Sequence, residues 1–151
     1  MTDTPATTDT TADVGRRPSV LFVCVKNGGK SQMAAGLMAK RAGEAVAVAS
    51  AGTRPGSAVN GLSAESLADV GVDIIGNTPK PVTAELVRSA DVVVTLGREA
   101  RVDEVPGTRF ENWDTDEPSQ RGIDGIERMR LVRDDIARRV DDLYERLTTR
   151  A

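Results

Sequence analysis

The chain of 151 residues is 39% apolar, 3% aromatic and carries a net charge of −3; it can build one aliphatic core and offers no basic field for nucleic acid. With no histidine and a single cysteine, Cys24, Ser-His-Asp and Cys-His catalysis, an intramolecular disulfide and a Cys/His zinc cluster are excluded. No apolar run approaches the roughly 20 residues that span a bilayer, and the N-terminus lacks the apolar stretch of a secretory signal, so a reduced, cytoplasmic setting is expected.

Residues 1–17 contain six threonines and almost nothing to bury; they read as a disordered tail ahead of a single domain over 18–151. Val20–Val23 is a short apolar run ending at Cys24, the pattern of a strand buried on both faces. A turn follows over Lys26–Lys30. Ser31 then opens a helix whose apolar positions Met33, Ala34, Leu37, Met38 and Ala42 recur at helical spacing until Gly43. Val46–Ala49 reads as a second strand, followed by the turn Ser50-Ala51-Gly52-Thr53. Helices are expected over about Leu62–Val70 and Thr83–Ser89, and strands over Asp91–Leu96 and near Thr108–Trp113. The acidic loop Asp114–Pro118 comes next. Met129, Val132, Ile136, Val140, Leu143 and Leu147 then form one stripe of a long amphipathic helix, its charged face read as solvated. Strands alternating with helices imply an α/β fold with a parallel sheet covered on both faces, which places a ligand beyond the carboxyl ends of the strands.

The segment Cys24-Val25-Lys26-Asn27-Gly28-Gly29-Lys30-Ser31 therefore lies where a ligand is expected. Its glycines let the backbone curl so that several N–H groups meet at one centre, and the following helix adds its positive end. Lys30 brings a full charge. Ser31 is placed to cap the helix and to donate to sulfur, and Asn27 tolerates a left-handed backbone. Such a cradle stabilises a thiolate at Cys24 and seats a tetrahedral oxyanion beside it. The plainer reading of Cys24 is a small buried side chain that ends a strand. Gly29-Lys30-Ser31 superficially matches the end of a Walker A loop, but the first glycine of that pattern is missing, so an ATPase is not expected.

Four motifs in order resemble the low-molecular-weight tyrosine phosphatase superfamily, and its arsenate-reductase branch more closely. They are the loop from Cys24 to Ser31 with Gln32-Met33-Ala34 after it, the Ser50–Thr53 turn, Glu117-Pro118 beyond Trp113, and Arg130-Leu131-Val132-Arg133-Asp134-Asp135-Ile136. The resemblance covers Ser19 to Leu147. It implies a three-layer αβα fold with a four-stranded parallel sheet in the order 2-1-3-4. Three departures stand out: Lys30 replaces the family's arginine, Leu96-Gly97 stands where many relatives carry a cysteine, and the acid before Pro118 is Glu117 rather than aspartate. A lysine cannot make the bidentate fork of a guanidinium. The lone cysteine rules out an internal disulfide relay, so a second thiol must come from outside. These departures resemble the actinobacterial arsenate-mycothiol transferases.

The resemblance implies arsenate held by the backbone of Val25, Lys26, Asn27, Gly28, Gly29, Lys30 and Ser31 and by the Lys30 ammonium, attack by Cys24, and a leaving hydroxyl protonated by Glu117 or Asp116. An external small thiol, mycothiol by the resemblance, then takes the arsenic, and mycoredoxin acts downstream; no bound cofactor or metal is implied. Lys80 and Arg54 fall in loops on the ligand side, as supporting cations or as ordinary surface charges. Trp113 reads as packing. Two other functions stay open on the sequence: a tyrosine phosphatase using the same cysteine, and a non-catalytic oxyanion-binding module.

Overall fold

Val20–Val23 can be apolar without interruption because both faces of its strand are covered. In the computed structural model, which describes residues 17–149, strand β1 (Ser19–Cys24) lies inside a four-stranded parallel sheet with β2 (Ala47–Gly52), β3 (Val92–Leu96) and β4 (Arg109–Trp113). The order is β2-β1-β3-β4, as the resemblance implied. The helices are α1 (Lys30–Ala42), α2 (Gly61–Ala68), α3 (Ala84–Ser89) and α4 (Gly125–Thr148), with single 3-10 turns at Gly43–Ala45 and Pro118–Arg121. The expected tail, apart from Arg17, lies outside the described residues.

Alternation along the strands divides the apolar residues between two cores. Val20, Phe22 and Cys24 of β1 and Val92, Val94 and Leu96 of β3 face the larger core, shared with α1, α2 and α4. Leu21, Val23 and Val93 face a smaller one with Val87, Ala90 and Ala100. Trp113 is buried against Phe22, ring centroids 5.6 Å apart, so its role is packing. The apolar stripe of α4 is buried at all six spaced positions, and the helix lies on α1 and α2. Among the described residues no helix is long and apolar enough to cross a membrane.

Two expectations are corrected. Strand β2 does not stop at Ala49: it pairs with β1 up to Cys24↔Gly52, so the Ser50–Gly52 stretch is strand and not turn. Its continuation sets Gly52 beside the loop that follows β1. The charged face of α4 is only partly solvated. Arg146 grips Glu111 of β4 at 2.6 Å, Arg130 reaches Asp69 at 2.7 Å, and Asp135 accepts the Asp116 N–H at 2.9 Å. A helix this long passes beside several loops, and its flanking charges meet theirs.

Since β2 and β3 lie on opposite sides of β1, the chain reverses direction across the sheet at the end of β1, and Cys24 stands at that switch point. Ile136 is fully buried in the larger core, so Ile136→Ala should cost about 2–5 kcal/mol in urea denaturation. Arg138→Ala on the exposed side of the same helix should cost under about 1 kcal/mol.

Candidate active site

The loop after β1 takes its shape from where its carbonyls go. Cys24 C=O accepts the Thr53 N–H at 3.0 Å, Val25 that of Arg54 at 2.7 Å, Lys26 that of Gly56 at 2.9 Å and Gly28 that of Asn60 at 2.7 Å. Asn27 C=O accepts from the Gln32 side chain at 3.1 Å, and Gly29 C=O from the Met33 N–H at 2.9 Å. No described peptide is cis, and across a trans peptide the next N–H points opposite to the carbonyl. Turning the carbonyls of 24–29 toward the 53–60 segment and α1 turns the amides of Val25–Lys30 the other way. The Asn27 N–H does reach Cys24 Sγ, at 3.2 Å. This close seating requires glycine at two positions. A Cβ on Gly28 would fall 2.8 Å from Ala58 O, and one on Gly52 2.7 Å from Val25 O.

Asn27 is the keystone. It is fully buried and is the only described non-glycine residue with positive φ, at 55°. Its Nδ2 donates to Ser31 Oγ at 2.7 Å, and its Oδ1 accepts from the Lys80 N–H at 3.0 Å and from Gln32 Nε2 at 3.3 Å. Asn77 Nδ2 donates to Gln32 Oε1 at 3.1 Å. Ser31 Oγ lies 2.9 Å from Cys24 Sγ. Because Ser31 Oγ accepts from Asn27, its own proton is left for the sulfur. Two donors thus meet at Sγ: the Asn27 amide and the Ser31 hydroxyl. The expected capping role of Ser31 is not met. Gly29 is the N-cap of α1, without a side-chain cap bond, because Ser31 lies inside the helix with its hydroxyl spent on the sulfur.

At the mouth of the loop, Glu117 Oε2 accepts from Arg128 Nε at 2.7 Å and from Ser119 Oγ at 2.8 Å, while Oε1 lies 3.8 Å from Lys30 Nζ. The Arg128 guanidinium, with help from Ser119 and Lys30, holds the Glu117 carboxyl at about 2. At neutral pH it carries no proton in this arrangement, although the sequence suggested it as the proton donor. Asp116 is also held below the ordinary range, by a two-point contact with Arg121 at 2.8 and 3.1 Å. Of the two, Glu117 is the one in contact with Lys30.

Lys80 and Arg54 reach the loop through their backbones. The Lys80 N–H serves Asn27, its C=O accepts the Gly52 N–H at 2.8 Å, and the Arg54 N–H serves Val25, while both residues are exposed. Arg128, Asn77 and the structural part played by Gln32 were not found by sequence reasoning. Arg128 precedes the apolar stripe of α4 by one residue, which was a usable signal; Asn77 sits in an irregular stretch that has none.

The geometry agrees with what the chain resembles. A putative arsenate reductase of Halobacterium salinarum is 32% identical over 130 residues, covering 82% of this chain and 89% of that protein. Arsenate reductase 2 of Staphylococcus saprophyticus is 31% identical over 134 residues, covering 85% and 98%. Among solved structures, the thioredoxin-dependent arsenate reductase of Corynebacterium glutamicum superposes with a TM-score of 0.75 at 32% identity, covering 92% of this chain and 68% of that one. An arsenate reductase in its phosphate-binding state gives a TM-score of 0.71 at 30% identity, covering 87% and 99%. The family model of the low molecular weight phosphotyrosine protein phosphatases matches residues 19–151, and the chain belongs to that family.

Proposed function

We propose that this chain is an arsenate reductase of the thiol-transferase type. One observation carries the reading: the only sulfhydryl in the sequence, Cys24, lies against an oxyanion-type loop with the Asn27 amide and the Ser31 hydroxyl aimed at its sulfur. Arsenate sits in the loop on the amides of Val25–Ser31, with Lys30 as counter-ion. Sγ attacks arsenic, the S–As bond forms, and one As–O bond breaks with its electrons leaving as hydroxide, which is protonated to water. A bound arsenate competes for Lys30 and sets negative charge beside Glu117. Both effects raise the proton affinity of Glu117, which is the proposed donor to the leaving oxygen; Asp116 is the second choice.

The Cys24–arsenate adduct then needs a thiol that this chain does not have. An external small thiol attacks the arsenic, the S–As bond to Cys24 breaks, and the sulfur leaves as thiolate. Arsenic stays pentavalent and no electrons pass to it on the enzyme. Mycothiol is the proposed cosubstrate, with mycoredoxin completing reduction downstream, in a cytoplasmic setting that keeps a lone thiol reduced. The names of the relatives support arsenate as substrate. A phosphotyrosine phosphatase reading is weaker. The four aromatic side chains are used elsewhere: Phe22 and Trp113 pack on each other, Phe110 joins the second core and Tyr144 lies under Arg41 at 4.1 Å. None is left to stack on a phenyl ring at the loop.

Incubation with arsenate and mycothiol, followed by mass spectrometry, should yield an arseno-mycothiol product. Cys24→Ser should lower its formation by at least about 10³-fold. Equal turnover with glutathione would refute the choice of mycothiol, and rapid hydrolysis of p-nitrophenyl phosphate without thiol would favour the phosphatase. Ser31→Ala removes one donor to sulfur and should slow the first step about tenfold, read as single-turnover adduct formation. Glu117 gives a stability test. Its carboxyl is lowered on folding from 4.5 to about 2, so its ion pairs stabilise the fold fully above about pH 4.5 and lose that effect as pH falls toward about 2. The urea midpoint of the unsubstituted chain should exceed that of Glu117→Gln at pH 6, and the gap should close as pH drops to about 2.

A further inference from the structure

If Cys24 receives arsenic, the second thiol must have a way in, and two clefts flank the Lys30–Glu117 contact. The first, of about 510 Å³, is bordered by the loop at Gly28 and Gly29 and carries three cations, Lys26, Lys30 and Arg128, with no carboxylate among its lining residues. Ser57, Asn60 and Ser63 give it hydroxyl and amide groups, and Met129 and Val132 an apolar wall. The second, of about 660 Å³, sets Glu99, Asp114, Asp116 and Glu117 against Lys30 and Arg98. Lys30 borders both, Arg128 only the first and Glu117 only the second, so the ion pair marks the divide between them.

We propose that the first cleft seats the small thiol cosubstrate, with Arg128 and Lys26 attracting its ionised sulfur toward the arsenic on Cys24. This rests on the arsenate reading above. Three arguments lead to it. A thiol attacks as thiolate, and an anion is favoured at the wall whose charged lining is Lys26, Lys30 and Arg128, the last two shared with Glu117 at its edge, over the wall that sets four carboxylates against two cations. A volume of about 510 Å³ exceeds the needs of one tetrahedral oxyanion and falls in the range of about 300–1,000 Å³ typical of small-molecule sites. The hydroxyl and amide groups suit a cosubstrate rich in hydroxyls and amides, and leave the sulfur end to the cations. Within the cleft the balance is simple. The thiolate sulfur bonds to arsenic, the bond from arsenic to Cys24 Sγ breaks with its electron pair returning to Sγ, and the oxidation state of arsenic is unchanged.

The test blocks each cleft in turn. Ser57→Trp fills the first and Gln120→Trp the second; neither residue belongs to the loop. Two quantities are read: the KM for mycothiol in turnover, and the protection of Cys24 by arsenate against iodoacetamide, which involves no second thiol. The expected result is a rise of about tenfold or more in thiol KM for Ser57→Trp, arsenate protection within about twofold, and a thiol KM within about twofold for Gln120→Trp. A rise confined to Gln120→Trp, or no rise with either blocking variant, would overturn the proposal. Failure of arsenate to protect Cys24 in the unsubstituted chain would instead overturn the arsenate reading on which it stands.

Discussion

The site depends on one constraint: the carbonyls of residues 24–29 are all engaged on the far side of the loop. Four go to the N–H groups of Thr53, Arg54, Gly56 and Asn60, one to Gln32 and one into α1. A free loop would show solvent a mixture of carbonyls and amides, which an anion would find neutral on average. Spending the acceptors on the neighbouring segment leaves the donors as a set, and this gives the concave side its positive character. The arrangement needs Gly28 and Gly52, where the two segments approach too closely for a Cβ, and Asn27, whose left-handed backbone turns the loop at its midpoint. Asn27 also passes order outward, to Ser31 and the sulfur on one side and to Lys80, Gln32 and Asn77 on the other.

The second level of organisation is electrostatic. A point charge at Lys30 stands where the resemblance implies a guanidinium, and Arg128 of α4 brings a guanidinium to Glu117 from another element. Glu117 connects the two cations. The acidic loop that bears Glu117 is itself fastened to α4, through Asp135 to the Asp116 N–H and through Arg139 to the Asp114 carbonyl at 3.0 Å. The long helix is thus both the cover of the larger core and the frame that sets the charges at the mouth of the loop. A carboxylate shared between two cations changes its proton affinity when an anion competes for one of them.

Much of this was legible in the sequence. The two-sided run Val20–Val23, the alternation of strands and helices and the six-residue stripe of α4 fixed the fold class, because period and burial follow directly from residue type. The loop was legible because its glycines, Lys30 and Cys24 are consecutive. The strand order came from the resemblance, since periodicity does not say which strands are neighbours. Long-range partners were not legible. Nothing local in Asn77 or Arg128 announces that they meet a loop some 50 or 100 residues earlier. The extent of β2 was misjudged for a related reason: Ser50-Ala51-Gly52 looks like a turn by composition, and only its pairing with Phe22, Val23 and Cys24 makes it strand. Glu117 shows the same limit in chemistry. Its place before Pro118 suggested a proton donor, while its charge state depends on Arg128, which the sequence did not place beside it.

The most direct test of the account is a titration of the isotope-labelled chain with arsenate, following backbone amide resonances by heteronuclear NMR. If the donors of the loop converge on one oxyanion, the amide protons of Gly28, Gly29 and Lys30 shift together and saturably, while those of Thr53, Arg54 and Gly56, already committed to loop carbonyls, move little. Shifts scattered over the surface, or none in the loop at concentrations that saturate turnover, would contradict it.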